Sequence, residues 1–289
     1  MQDLRQTKEY AQYMQSIGWS VVRCQISDTR CQIFVKKIPL FGTVAKLQRP
    51  LNTITAKQLD SFSKKHKISV LYVERSSNVR STFEGFSEAK SSFVPAKTIH
   101  IDLTKSEKKL LSEMKPKTRY NVGLSQKRNV IIKASHNINT FGGLWGKSAR
   151  GRGMFLPQIK EISALWRAFG NMAHILLAYS PLPTTHYSQP VAGVLMVRTA
   201  TSAYYMYAAA TAEGKKLFAP TLLAWEAIRL AKKRKCKVFD FEGIYDERYP
   251  STKKWKGFTR FKEGFGGKIV TYPETLVKYY NWFVKILNI

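Results

Sequence analysis

An α+β fold in two halves, each a mostly antiparallel sheet flanked by helices, is what this 289-residue sequence predicts. Two observations carry the expectation. Helical spacing of apolar residues gives way, twice along the chain, to a meander of short strands, then a helix and a further strand. No Gly-x-Gly-x-x-Gly follows a strand and no P-loop occurs, which argues against a doubly wound nucleotide-binding sheet.

Leu4 to Ile17 has apolar residues near helical spacing and ends at Gly18, a fitting C-cap. Trp19 to Ile26 and Gln32 to Ile38 read as strands around an Asp28-Thr29 turn, and Pro39 to Pro50 is turn-rich with further strand character. Ser69 to Arg75 and Lys97 to Leu103 are strands. After Asp102, Thr104 and Glu107 have the spacing of a capping box for the next helix. Pro116 breaks that helix from a second one carrying Lys117, Arg119, Lys127 and Arg128.

The second half begins near Ser135. Phe141 to Ala149 and Leu156 to Phe169 read as helices around Arg150-Gly151-Arg152-Gly153. Ala168 to Val197 lacks every acid, Lys and Arg, but it holds Pro181, Pro183 and Pro190 and two histidines. A membrane-spanning helix does not tolerate that set, so the stretch reads as two buried strands around a Pro-rich loop. Ala203 to Ala209 is a strand in which alternation puts Tyr205 and Tyr207 on one face, where they could line a groove. Phe218 to Lys235 is a long helix that turns from apolar to basic, and a last helix is expected over Glu274 to Leu287.

Lys and Arg total 48 against 19 acids, a formal charge of +29. That excess exceeds what solubility needs and calls for a polyanionic partner: nucleic acid, an anionic membrane leaflet, or both. Between Lys105 and Lys133 nine basic residues face two acids. The aromatic content is that of a folded chain, so a disordered tail is not the source of the charge. The three cysteines form no C-x-x-C and suit a reduced compartment, the N-terminus is polar rather than signal-like, and the scattered histidines argue against zinc.

The stretch from Cys236 to Ile269 organises the rest. Val238, Phe239 and Phe241 form a short buried strand ending in Asp240-Phe241-Glu242-Gly243, which leaves two carboxylates at the strand's mouth. A loop of Lys, Trp and Tyr leads to Phe261-Lys262-Glu263-Gly264-Phe265-Gly266-Gly267, where three glycines bring backbone close to a neighbour. The plain alternative is a solvated basic loop with a Gly-rich turn.

D-F-x-G-I followed by F-K-x-x-F-G-G resembles the signature of the Fem family, the peptidoglycan bridge-forming aminoacyltransferases that use aminoacyl-tRNA. Thr98 to Val130 resembles the family's strand, acid, helix and K-x-R-x-N helix. The resemblance covers nearly the whole chain and implies two N-acetyltransferase-like domains, 1–134 and 135–269, with 270–289 packing back on the first. It implies a cytoplasmic monomer acting in cell wall biogenesis and cell shape, with aminoacyl-tRNA and a nucleotide- or lipid-linked muramyl peptide as partners and no cofactor. The helical arm of some members is not evident.

Residue by residue, the family's Q-x-x-G-W segment matches Gln15, Gly18 and Trp19, with Arg23 as the nearby base that would hold the precursor. Its Thr/Ser-x-Arg pair matches Ser148 and Arg150, and its Y-L-Y-G-A strand resembles the one that holds Tyr204, Tyr205 and Tyr207. Asp102 would lie near the substrate amine, although a carboxylate there also suits a helix start. Lys262 would be the catalytic cation. Lys115, Lys117, Arg119, Lys127, Arg128, Lys253 and Lys254 would contact tRNA phosphate. The C-terminal mixture of aromatics and lysines implies peripheral contact with the inner leaflet. Two other readings stay open: an acyl-CoA-dependent N-acyltransferase, although the Q/R-x-x-G-x-G/A loop is missing, and a non-enzymatic basic RNA-binding protein.

Overall fold

The computed structural model describes residues 3–26, 29–39, 42–51, 54–76, 83–151, 159–180 and 189–286. In chain order the elements are α1 (Lys8–Ser16), β1 (Ser20–Ile26), β2 (Thr29–Ile38), β3 (Gly42–Gln48), α2 (Ala56–Lys65), β4 (Val70–Glu74), β5 (Ser87–Glu88) and β6 (Lys97–Asp102). Then come α3 (Glu107–Glu113), α4 (Pro116–Lys127), β7 (Ile131–Ser135), α5 (Ile138–Arg150), α6 (Ile159–Phe169), β8 (Ala173–Tyr179), β9 (Ala192–Arg198) and β10 (Ser202–Ala210). The chain closes with α7 (Ala212–Lys216), α8 (Ala219–Lys233), β11 (Val238–Asp240), α9 (Lys256–Glu263), β12 (Lys268–Thr271), β13 (Leu276–Tyr279) and α10 (Trp282–Ile286).

These elements form two compact units: residues 1–97, 246–254 and 271–289, and residues 98–245 and 255–270. Residues 98–134, expected in the first domain, pack in the second unit. The reason is sheet pairing, because β6 lies between β12 and β11 and cannot leave that sheet without opening it.

The first unit is built on a six-stranded sheet in the order β1-β2-β3-β4-β13-β5. Only β3 and β4 pair in parallel among its recorded pairs. Ile33, Leu47, Leu71 and Val73 face Leu59 and Phe62 of α2, while Val70, Tyr72 and Val277 face Val284 of α10. Thr55 caps α2 with Gln58 in a capping box. The tail differs from the expected helix over 274–287: Leu276–Tyr279 joins the sheet against β4, and only Trp282–Ile286 is helical. Sheet pairing on both sides outweighed the helical pattern of a short segment.

The second unit holds a seven-stranded sheet, β12-β6-β11-β10-β9-β8-β7. β10 and β11 run parallel, β6 joins β11 antiparallel, and β10, β9, β8 and β7 pair antiparallel in turn. One face packs Val194, Met196, Phe239 and Phe241 against Leu222, Leu223 and Ile228 of α8 and Val122 of α4. On the other face β9 lies so close to α5 that a side chain at Gly193 would press on Phe141 and Leu144.

The capping box expected at Thr104 is not formed. Ser106 caps α3 by accepting from Lys109 N at 3.2 Å, and Thr104 serves the turn before it. The acid-free stretch forms β8 and β9 as buried strands, and residues 181–188 lie outside the described residues. No helix among the described residues is long and apolar enough to cross a membrane.

Candidate active site

β11 ends in the second unit at Asp240, whose side chain is buried, and the chain then changes direction sharply. Phe241 N still donates to Ile99 O at 3.0 Å, but Glu242 adopts a left-handed backbone with φ 58°. A non-glycine residue there costs on the order of 1 kcal/mol, so the surroundings must hold it. They do so through Asp240. Its carboxylate accepts from Glu242 N at 2.7 Å and from the Thr98 hydroxyl, and lies 3.1 Å from His100 Nε2. The Thr98 hydroxyl also lies 2.8 Å from Glu242 O. Gly243, the glycine expected to turn the chain, is therefore preceded by a strained glutamate.

Lys262 reaches this turn from α9. Its Nζ donates to Gly243 O at 2.6 Å, and the side chain is mostly withdrawn from solvent. Burial pulls its pKa down to about 8, against the opposing pull of the Glu242 and Asp240 carboxylates. An ammonium of that pKa is still mostly protonated at neutral pH, yet close to giving up its proton.

The F-K-x-x-F-G-G block positions that lysine by dividing α9 into two faces. Phe261 and Phe265 stack edge to face at 5.3 Å, and Phe265 meets Phe241 at 5.2 Å, so both rings anchor to the strand. Lys262 consequently projects elsewhere, toward the carbonyl of the turn. Gly266 and Gly267 have φ of 77° and 86°, and a Cβ on them would come within 2.6 Å of Glu113 O and 2.5 Å of His100 O. Glycine is needed at both because the chain passes directly against β6 and the end of α3. Lys115 N donates to Gly264 O at 2.9 Å, and Lys115 Nζ pairs with Glu263 at 3.1 Å. At the other end of α9, Tyr245 N donates to Thr259 Oγ1 at 2.7 Å.

The other expected residues do not all gather here. Arg23 is exposed on β1, the edge strand of the first unit. Ser148 and Arg150 lie in the last turn of α5, with Arg150 exposed. Tyr205 and Tyr207 do not share a face: Tyr205 pairs with Met196 and Tyr207 with Leu195, so Met206 is an extra residue in a β-bulge. Tyr205 is buried against Phe239 and Phe241, and burial pushes its hydroxyl pKa up. Tyr207 meets the Trp145 ring of α5 at 5.2 Å. Asp102 is exposed and accepts from Thr104 N at 3.0 Å and from its hydroxyl, bonds that hold its pKa low.

Among the expected phosphate contacts, Lys117 and Lys127 are exposed on α4, and Lys253 and Lys254 are exposed in a 3-10 turn of the first unit. Two arginines are engaged within the fold. Arg119 donates to the carbonyls of Leu111, Ser112 and Met114 at 3.1 to 3.3 Å, closing the end of α3. Arg128 donates to Lys216 O at 2.6 Å and covers the Phe218 ring. Both remain exposed. His100 and Thr98 were not singled out from sequence as site residues; their only signal was position, on the strand that pairs with β11. No group of three His, Cys, Asp or Glu gathers among the described residues.

Residues 184–284 match the FemAB family model, a segment that includes β11, the turn and α9. No curated protein matches the sequence significantly. Among solved structures, one described as FemX is similar over 99% of this chain and 94% of its own, with TM-score 0.81 and 15% identity. The C-terminal domain of a putative lysylphosphatidylglycerol synthetase from Agrobacterium fabrum is similar over 98% and 91%, with TM-score 0.64 and 10% identity. L-PGS from Bacillus licheniformis is similar over 96% and 89%, with TM-score 0.58 and 10% identity. At such identities the structural likeness establishes the fold alone.

Proposed function

We propose that this chain, a FemAB-family protein across residues 184–284 with the fold of FemX along its length, transfers an amino acid from aminoacyl-tRNA to a primary amine of a peptidoglycan-precursor stem peptide. The observation that carries the reading is Lys262, an ammonium drawn out of solvent and aimed at the carbonyl of Gly243 within the family segment.

The reaction is aminolysis of an activated ester. The acceptor amine attacks the ester carbonyl, a tetrahedral oxyanion forms, and the ribose hydroxyl departs as the amide bond closes. Lys262 supplies positive charge where the oxyanion develops, and such a donor is worth roughly 3–4 kcal/mol of barrier. With a pKa near 8 it can also hand a proton to the departing ribose oxygen. The proton lost by the amine needs an acceptor, and the Asp240–His100 pair stands at the same strand end. Fold alone would not license this chemistry.

Arg23, Ser148, Arg150, Tyr207 and Asp102 remain the precursor-side proposals. Lys115, Lys117, Lys127, Lys253 and Lys254 are the proposed tRNA contacts. Arg119 and Arg128 join them through their solvent-facing nitrogens. Trp282, Phe283 and Ile286 are 72%, 52% and 67% exposed beside Lys285, which supports peripheral contact with an anionic inner leaflet.

The test is to incubate the protein with charged tRNA and muramyl pentapeptide and weigh the product. A gain of one aminoacyl residue that ribonuclease abolishes is expected. Transfer from an acyl-CoA with thiol release, or aminoacylation of phosphatidylglycerol but not of the peptide, would replace the reading.

A further inference from the structure

A half-open pocket in the second unit stands apart from Lys262. It has a volume of about 540 Å³, and His136, Trp166, Arg167, His174, Arg198 and Arg234 contribute to its walls. Its place follows from the strand directions. β8 and β10 both run antiparallel to β9, and β11 runs parallel to β10, so β8, β10 and β11 all begin at one end. The pocket lies at that end, beside His174 near the start of β8. Lys262 is set apart from it across the sheet: it meets the turn after β11, whose last residue Asp240 pairs with Tyr204, and β10 and β9 lie between that strand and β8.

The sequence places these side chains together for a simple reason. His174 sits opposite Met196, and Arg198 is two residues further along β9, so all three share the face covered by α8. Met196 is the last apolar residue that β9 gives to that face. Beyond it α8 runs out at Leu230 and at its C-cap Arg234, leaving a space that polar groups line instead of apolar ones. Trp166 and Arg167 close it from the end of α6.

The donors are not satisfied within the protein. His174 Nε2 and Arg198 Nε are buried without a hydrogen-bond partner among the described residues. A buried polar group left so has lost its hydration without replacement, which costs most when it is charged. Three guanidinium groups line it, and among the described residues no carboxylate contributes to the walls. Burial, then Arg234, Arg198 and His136, push the His174 pKa down to about 4, so the imidazole is neutral and the space is strongly electropositive. An anion would supply the missing acceptors, and several donors arriving from separate elements match a tetrahedral dianion better than a planar carboxylate. The Trp166 ring, 6.3 Å from that of His136, offers an apolar face for an organic substituent.

The geometry points to a binding site for a phosphate monoester in this pocket, separate from the acyl-transfer site and standing whether or not that reading holds. The phosphate can belong to a free nucleotide or to the 5′ end of an RNA.

Calorimetric titration of the full chain with inorganic phosphate and with a nucleoside 5′-monophosphate tests it. Saturable one-to-one binding is expected. Arg234→Gln and Arg167→Gln, both exposed residues at helix ends, should each weaken it about tenfold. Lys64→Gln and Lys65→Gln make the same charge change at exposed positions of α2 and should leave it unaltered. The His174 imidazole pKa, followed by NMR, should rise on saturation. No saturable binding at millimolar phosphate overturns the proposal, as does equal weakening by the α2 variants. With binding established, an RNA preferred in its 5′-phosphorylated form over the 5′-hydroxyl form, a preference lost in Arg234→Gln, assigns the RNA source. Equal binding of the two RNAs assigns the free phosphate.

Discussion

Lys262 Nζ donates to Gly243 O at 2.6 Å, so the amine of α9 is tied to the carbonyl that follows the strained Glu242. The bond holds the ammonium at the strand mouth before any substrate arrives. Lys262→Met keeps much of the stem and removes the charge. kcat should fall a hundredfold or more, roughly 3 kcal/mol, with precursor affinity nearly unchanged. Full chemistry at saturating charged tRNA in single-turnover measurements would return Lys262 to the phosphate contacts.

The same lysine sets a pH limit. Activity that needs the ammonium is present below its folded pKa and disappears as pH rises through about 8. Glu242 raises that pKa, so Glu242→Gln should move the basic limb of kcat to lower pH. For stability the sign is the reverse. The unfolded chain binds the proton more tightly between about 8 and the ordinary lysine value of 10.5, so folding gains as pH rises through that window. Lys262→Met should abolish this gain, read as a flat denaturation profile there. A basic limb unmoved in Glu242→Gln would separate the carboxylate from the lysine.

Gly267→Ala should destabilise the second unit by about 2 kcal/mol or more. Its φ is 86°, and the new methyl would meet His100 O. Urea denaturation reads this directly, and an unchanged midpoint would contradict the close approach.

Lys117→Gln and Lys127→Gln should weaken tRNA binding and spare stability, whereas Arg119→Gln should lower stability because three carbonyls at the end of α3 lose their donor. For about six phosphate contacts, affinity should drop roughly a thousandfold between 50 and 200 mM salt. Salt-independent binding would remove the electrostatic argument.

Asp246 governs acid stability of the first unit. Burial raises its pKa, but hydrogen bonds from Arg248, which also reaches Glu274 at 2.7 Å, outweigh that and hold it below 3.8. The stabilisation is present above pH 3.8 and is lost as pH falls through the lower folded value. Arg248→Met should move the acid transition to higher pH, followed by tryptophan fluorescence.

Trp282→Ser should reduce sedimentation with anionic vesicles, since that ring is 72% exposed beside basic residues. Equal binding of the parent chain to neutral vesicles would count against an electrostatic contribution.

Much of this protein was determined by sequence alone, where the signal is local. Helices α4, α5 and α8, strands β6, β8 and β9, and the glycines at 266 and 267 follow from periodicity and backbone freedom. Phe261 and Phe265 straddle Lys262 at a spacing that makes one face of a helix apolar. Other features depended on which strand lies beside which. The last segment reads as a helix until β4 and β5 offer it backbone partners, and residues 98–134 read as part of the first half until β6 inserts beside β11. A single inserted residue, Met206, sent Tyr205 and Tyr207 to opposite faces, since a period of two has no tolerance for a bulge. His100 and His174 carry no local signature at all. One meets Asp240 and the other Arg198 only because antiparallel pairing brings together residues far apart in the chain, and hydrogen bonding across strands is a property of the sheet rather than of the segment.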